Sequence, residues 1–68
     1  MAERLGNRLK EAREAKGLTQ LQLAEAIGVS RKTVNTVENG VFVPSTLIAL
    51  KLAEALGAPI EGLFWLVE

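Results

Sequence analysis

Four polar side chains that can hydrogen-bond to base edges occur close together near the middle of the chain. They are Arg31, Lys32, Asn35 and Thr36. If the segment is helical, these positions share one side of the helix, and Val34 and Val37 lie on the other. Arginine and lysine pair well with guanine, asparagine pairs with adenine, and threonine offers a hydroxyl or a methyl group. The segment is therefore suited to reading base pairs from the outer face of a helix.

Capping residues predict two short helices and a tight turn that position this face. Thr19 is a good N-cap for a helix over residues 20–27, and Ser30 is one for a helix over residues 31–38. Gly28 ends the first of these helices because glycine adopts the positive φ that the turn needs. An ordinary helical hairpin with a polar exterior is the alternative, but it explains poorly two caps and a glycine at this spacing.

Three further helices are predicted around this pair. Apolar residues at helical spacing indicate a first helix, which Gly17 ends. Its apolar positions are Leu5, Leu9, Ala12 and Ala15. Ser45 caps a fourth helix that runs to Leu56, and Pro59 begins a fifth over about residues 60–66. Because no stretch shows strand alternation followed by a hairpin turn, we predict an all-α fold with five helices.

The composition predicts one domain over residues 1–68 and excludes most site chemistry. The 68 residues include no cysteine and no histidine, so disulfides, thiolate metal sites and a histidine general base are excluded. The carboxylates are spread over helix faces, and we expect no enzyme, no metal site and no cofactor. No run approaches the roughly 20 apolar residues of a membrane span, and the charged start Met1-Ala2-Glu3-Arg4 does not look like a signal peptide. We therefore expect a cytoplasmic protein.

The charges are unevenly distributed although the net charge is +0. Residues 1–32 include seven basic and four acidic residues, so their net charge is +3. Residues 33–68 include one basic and four acidic residues, so their net charge is −3. Such asymmetry is typical of a chain with a nucleic-acid-binding face. Ordinary solvated surface charges explain it equally well.

The last third of the chain carries more apolar residues than one small core can bury. The fourth helix is apolar on nearly every side over residues 47–53, and a second apolar run covers residues 63–67. We assign Leu63 and Phe64 to the core. An exposed apolar surface usually marks a site where a partner binds, so we expect these residues to mediate self-association. The alternative for residues 65–67 is that they are buried in the core. The candidate dimer-interface residues are Leu47, Ile48, Trp65, Leu66 and Val67.

Short segments along nearly the whole chain carry a family pattern. They are Asn7-Arg8-Leu9-Lys10, Gly17-Leu18-Thr19-Gln20, Leu23-Ala24, Gly28-Val29-Ser30-Arg31, Glu38-Asn39-Gly40, Pro44-Ser45 and Ala53-Glu54-Ala55-Leu56-Gly57. With them the sequence resembles the Cro/C1-type (phage repressor and Cro) family of helix-turn-helix regulators, especially its compact bacterial members. The resemblance implies a motif at about residues 20–38 and a third helix in the major groove. It also implies a homodimer on a near-palindromic operator in double-stranded DNA, with the docking geometry of the phage repressors.

The resemblance further implies roles for individual residues. The residues implied to contact DNA are Thr19, Gln20, Ser30, Arg31, Lys32, Thr33, Asn35, Thr36 and Asn39. Thr19 and Gln20, at the positive end of the second helix, would hold one phosphate, and Asn39 would hold another. Arg13 and Glu38 would form an internal ion pair between the first and third helices, although a solvated surface charge is the alternative for Arg13.

Two positions depart from the family pattern. Val41 stands where many members have a lysine, and Ala58-Pro59 stands where many have a serine or threonine cap. The first departure lowers the expected affinity for DNA because one phosphate contact is lost. The second shifts only a helix boundary.

These observations together predict a sequence-specific transcriptional regulator, and we expect a repressor. An antitoxin or a restriction controller is an alternative, and the apolar tail of an antitoxin would seat a toxin. A protein-interaction module that has lost DNA binding is another alternative. Because no effector-binding domain is evident, we expect control through concentration, a partner or proteolysis, without a small-molecule effector.

Overall fold

The computed structural model describes residues 3–68, so Met1 and Ala2 of the charged N-terminal start lie outside the described residues. The elements in chain order are β1 (Arg4–Asn7), α1 (Leu9–Ala15), α2 (Gln20–Ile27), α3 (Arg31–Glu38), α4 (Thr46–Leu56), α5 (Ile60–Leu63) and β2 (Phe64–Val67). The prediction of five helices is confirmed, and a two-stranded sheet accompanies them. Over residues 3–68, no helix has the length and apolar character needed to cross a membrane.

Side-chain caps and glycines set the ends of the three longest helices. Thr19, Ser30 and Ser45 each accept a hydrogen bond from the backbone N–H three residues further along. Each such cap stabilises its helix by about 1 kcal/mol. Gly28 follows α2 with a φ of 76°, and Gly57 follows α4 with a φ of 63°. Residues with a Cβ rarely adopt this left-handed conformation, so both helices stop where the sequence predicts.

Every helix contributes at least one side chain to a single core. The largest fully buried side chains are those of Leu9, Leu23, Val34, Val37, Leu52 and Leu63. Burial of a side chain of this size stabilises the fold by about 1.5–3 kcal/mol. Phe64 is also buried, which confirms the assignment of Leu63 and Phe64 to the core. The two inward valines of α3 decide which of its other side chains face outward.

The antiparallel pairing of β1 with β2 was not expected from the sequence. The predicted first helix is wrong at its beginning, since Leu5 lies in β1 and α1 starts only at Leu9. The predicted fifth helix is wrong beyond Leu63, because Phe64–Val67 forms β2. The two strands come from opposite ends of the chain, so no hairpin turn marks them. Aromatic and β-branched residues in β2 nevertheless favour an extended conformation.

The sheet joins the two ends of the chain beside α5. Its register places Gly6 opposite Trp65, and Arg8 continues the ladder by donating its backbone N–H to the carbonyl of Leu63 at 3.0 Å. The Arg8 guanidinium lies 5.3 Å from the centroid of the Trp65 ring. This distance is within the range of a cation–π interaction.

Candidate nucleic-acid interface

The outer side of α3 carries the polar side chains that the sequence places there. Arg31 and Lys32 are exposed, whereas Asn35 and Thr36 are half-buried beside the buried valines of the same helix. Ser30 begins the helix by accepting a hydrogen bond from the backbone of Thr33 at 3.2 Å. The surface therefore presents Arg31 and Lys32 in the first turn of α3 and Asn35 and Thr36 in the next turn.

The beginning of α2 has a two-way capping arrangement next to α3. The Thr19 hydroxyl accepts from the Gln22 backbone N–H at 3.0 Å, and the Gln22 side chain accepts from the Thr19 backbone N–H at 2.8 Å. The first backbone N–H groups of a helix lie outside its own hydrogen-bond ladder, so those of Gln20 and Leu21 can bind an external acceptor. Together with the helix dipole they favour an anion here.

A buried ion pair connects α1 to the end of α3. Arg13 donates from Nε to Glu38 Oε2 at 2.6 Å and from Nη2 to Glu38 Oε1 at 3.3 Å. The two side chains are only 10% and 3% exposed. A third donor, Arg13 Nη1, reaches the carbonyl of Leu18 at 2.8 Å. The hydrogen bond with Glu38 raises the pKa of Arg13 above its ordinary value.

The same carboxylate continues into a network that reaches the outer surface of α3. Gln20 donates from Nε2 to Glu38 Oε1 at 3.0 Å. On its other side, Gln20 Oε1 accepts from Arg31 Nη1 at 3.1 Å and, over a longer distance of 3.5 Å, from Asn35 Nδ2. The family resemblance implies a phosphate contact for Gln20 and gives no indication of these partners. They come together only when α2 and α3 pack, so no sequence spacing points to them.

Two other polar side chains of the candidate surface, those of Thr36 and Asn39, bond to carbonyl groups of α3. The Thr36 hydroxyl donates to the carbonyls of Lys32 and Thr33 at 2.9 and 3.1 Å. Asn39 donates from Nδ2 to the carbonyl of Asn35 at 2.9 Å. The Thr36 hydroxyl proton is thus occupied, which leaves its oxygen lone pairs and its methyl group for a ligand.

An exposed apolar loop follows α3. Val41 and Val43 are 77% and 68% exposed, and Phe42 is 44% exposed. The backbone N–H groups of Val41 and Phe42 both reach the carbonyl of Thr36, at 2.9 and 3.2 Å, which holds the loop against the end of the helix. The loop places apolar side chains beside the polar surface, and the lysine common in the family pattern is replaced by Val41.

The candidate dimer-interface residues fall on two different elements. Trp65 and Leu66 lie in β2 and are 39% and 72% exposed, and Val67 beside them is half-buried. On α4, Leu47 is 63% exposed. Ile48 is partly buried and packs against the core, so Leu47 is the more accessible of the two α4 candidates.

Comparisons with known proteins agree with this geometry. Residues 9–63 match the helix-turn-helix family. The chain is 45% identical over 62 residues to YgzD, an uncharacterised HTH-type transcriptional regulator of Bacillus subtilis, covering 91% of this chain and 94% of that protein. It is 44% identical over 64 residues to RghR, an HTH-type transcriptional repressor of the same bacterium, covering 93% of this chain and 47% of the repressor.

A solved structure with a similar fold is that of the restriction-modification controller protein C.AhdI from Aeromonas hydrophila. It superposes with a TM-score of 0.77 at 44% sequence identity, covering 81% of this chain and 83% of the controller.

Proposed function

This chain belongs to the Cro/C1-type helix-turn-helix family of DNA-binding transcriptional regulators, which are not enzymes, and we propose that it represses transcription as a homodimer on a near-palindromic operator. The observation that carries the proposal is the outer side of α3, where Arg31 and Asn35 are held side by side on Gln20. Hydrogen bonds that already orient the two side chains reduce the conformational freedom that is lost when they meet a base pair.

In the proposed complex α3 lies in the major groove. Arg31 has five N–H donors, of which one is used by Gln20, and the others remain for the O6 and N7 atoms of guanine. Asn35 offers its amide to an adenine, and Lys32 and Thr36 contact neighbouring base pairs. These contacts supply the sequence preference.

Phosphate contacts fix the position of the domain on the duplex. The backbone N–H groups in the first turn of α2 bind one phosphate, with Thr19 and the remaining N–H of the Gln20 amide beside them. Asn39 binds a second phosphate, and Ser30 and Thr33 face the backbone at the start of α3. Contacts of this kind strengthen binding to all sequences about equally.

A homodimer is proposed because one domain contacts only one half-site. Two recognition helices must lie about 34–36 Å apart to enter successive major grooves on one side of DNA. The exposed apolar side chains of Trp65 and Leu66 belong to β2 and not to α3, and a two-fold contact there buries the same patch on both subunits. Val67 follows them in β2, and Leu47 on α4 is a further candidate for the interface.

Repression is supported by the similarity to the repressor RghR. The similarity to C.AhdI favours a second candidate, a controller of restriction-modification genes. Both functions use the same DNA-binding surface, so they differ in the operator and the neighbouring genes and not in the site.

Selection of bound duplexes from a random-sequence library tests the proposal directly. We expect enrichment of an inverted repeat whose half-sites are centred about 10–10.5 base pairs apart. Enrichment of a single half-site would contradict the homodimer, and absence of any enriched motif would contradict sequence-specific binding. A reporter gene placed behind the enriched site then separates repression from activation.

A further inference from the structure

We infer that Glu38, whose side chain is buried, acts as a positioning residue that sets the base preference of Arg31 and Asn35. It does so by fixing the orientation of the Gln20 side-chain amide, which lies between them. The inference rests on the proposed function, since Arg31 and Asn35 must contact bases for their orientation to matter.

The first step is the bond between Glu38 and Gln20. The Glu38 side chain is 3% exposed, and Oε1 accepts from Gln20 at 3.0 Å. A carboxylate held by Arg13 accepts hydrogen bonds and donates none. Gln20 must therefore turn its nitrogen toward Glu38 and its oxygen away from it.

The second step is the position of that oxygen. Gln20 Oε1 lies toward α3, where it accepts from Arg31 Nη1 at 3.1 Å and from Asn35 Nδ2 at 3.5 Å. If the amide were reversed, its oxygen would meet the carboxylate oxygen of Glu38 and its N–H groups would meet two donors. Both ends of the amide would then lose their hydrogen bonds, so one orientation is strongly preferred.

The third step is the effect on the reading side chains. With one N–H of Arg31 held by Gln20, the plane of the guanidinium is restrained, and a planar fork in a fixed position suits the two acceptors of guanine. With one N–H of Asn35 directed inward, its oxygen and second N–H remain for the N6 and N7 groups of adenine. Without Glu38 the Gln20 amide can reverse, and both side chains lose their common acceptor.

The experiment compares four purified proteins by selection from a random duplex library and by titration of single-base variants of the selected site. Beside the wild type, Gln20→Met removes the amide, and the double variant Arg13→Met/Glu38→Met removes the carboxylate with its partner. Replacing both members of a buried pair with apolar side chains of similar size is often neutral for stability, so we expect the double variant to fold. Arg13→Lys is the matched control, because it weakens the ion pair and keeps both Glu38 and Gln20.

We expect the Gln20 variant and the double variant to lose base discrimination at the same base pairs. The ratio of affinities for the preferred base and the wrong base should fall by about 5- to 150-fold for a bidentate contact. Preference at base pairs contacted by Lys32 should persist in both variants. Arg13→Lys should select the wild-type sequence. If the Gln20 variant and the double variant also kept the wild-type preference, or bound all sequences more weakly by one common factor, the inference would be wrong.

The outcomes separate this inference from the proposed function. If the wild type selected no motif, the proposed function would fail before any variant was considered. If the wild type selected a motif and Gln20→Met altered its preference while the double variant did not, Gln20 would act without Glu38 and the inference would be overturned. Circular dichroism melts verify that each variant is folded, and Gln20 is partly solvent-accessible, so its replacement leaves the core intact.

Discussion

The indole of Trp65 lies directly against the backbone of Gly6 in the neighbouring strand. A Cβ added at residue 6 would come within 2.5 Å of the indole nitrogen and 2.7 Å of a methyl group of Val67. The glycine at this position is therefore required by the packing of β2 on β1. Because Trp65 is the single tryptophan of the chain, its fluorescence reports on this contact.

Replacement of Gly6 by alanine should destabilise the domain. The added methyl group must displace the indole, and overpacking of this kind typically costs about 1–3 kcal/mol. Urea unfolding followed by tryptophan fluorescence measures the loss, and the native emission should also shift. Gly62→Ala is the matched control, because its Cβ would meet Pro59 only at 3.4 Å and alanine favours a helix. Equal stability of the two variants would show that the sheet tolerates a side chain at residue 6.

Loss of one member of the Arg13–Glu38 pair should destabilise the fold strongly. Removing a partner from a buried pair leaves an uncompensated charge, which typically costs about 3–5 kcal/mol. Thermal melts of Arg13→Met, Glu38→Met and the double variant form a double-mutant cycle. We expect the double variant to be more stable than either single variant. Additive losses of a few tenths of a kcal/mol would instead indicate an independent surface charge at each position.

Arg31→Ala should relax the base preference of the protein. The lost contact should cost about 1–3 kcal/mol on the preferred site and little on random DNA, because base contacts carry the specificity. Fluorescence anisotropy with both duplexes measures the two affinities. Lys51→Ala on α4 removes the same charge from a position away from α3, and we expect it to affect both duplexes alike. If Arg31→Ala weakened both duplexes equally, Arg31 would be a phosphate contact.

The double variant Trp65→Ser/Leu66→Gln should be a folded monomer with much weaker operator binding. The two substitutions remove the exposed apolar side chains of β2 and leave the core residue Phe64 in place. Sedimentation equilibrium measures the mass of each protein in solution. Leu50→Gln, at an α4 leucine that is 51% exposed, is the control for loss of apolar surface in general. If the double variant were still a dimer, the interface would lie elsewhere. If the wild type were a monomer, the proposed homodimer would be excluded.

The positions of the helix ends follow from residues close to them in the chain. Thr19 and Ser30 cap helices through the N–H groups three residues away, and Gly28 ends α2 in a conformation that glycine adopts readily. Because these interactions are local, the type of residue and its spacing are enough to predict them. For the same reason, the helical spacing of the apolar residues in α3 was sufficient to place Val34 inward and Arg31 outward.

By itself, then, the sequence determined the five helices, their order and the outward side of α3, since those depend on neighbours within about one helical turn. Only the tertiary structure decided that Leu5 and Leu66 belong to paired strands, because their partners are at opposite ends of the chain. The bonds of Gln20 to Glu38 and Arg31 also depend on the tertiary structure. From the sequence alone, the amide of Gln20 could bind a phosphate or another side chain equally well. The choice is made by what the folded chain places within 3 Å of it, and α2 packed on α3 places a carboxylate there.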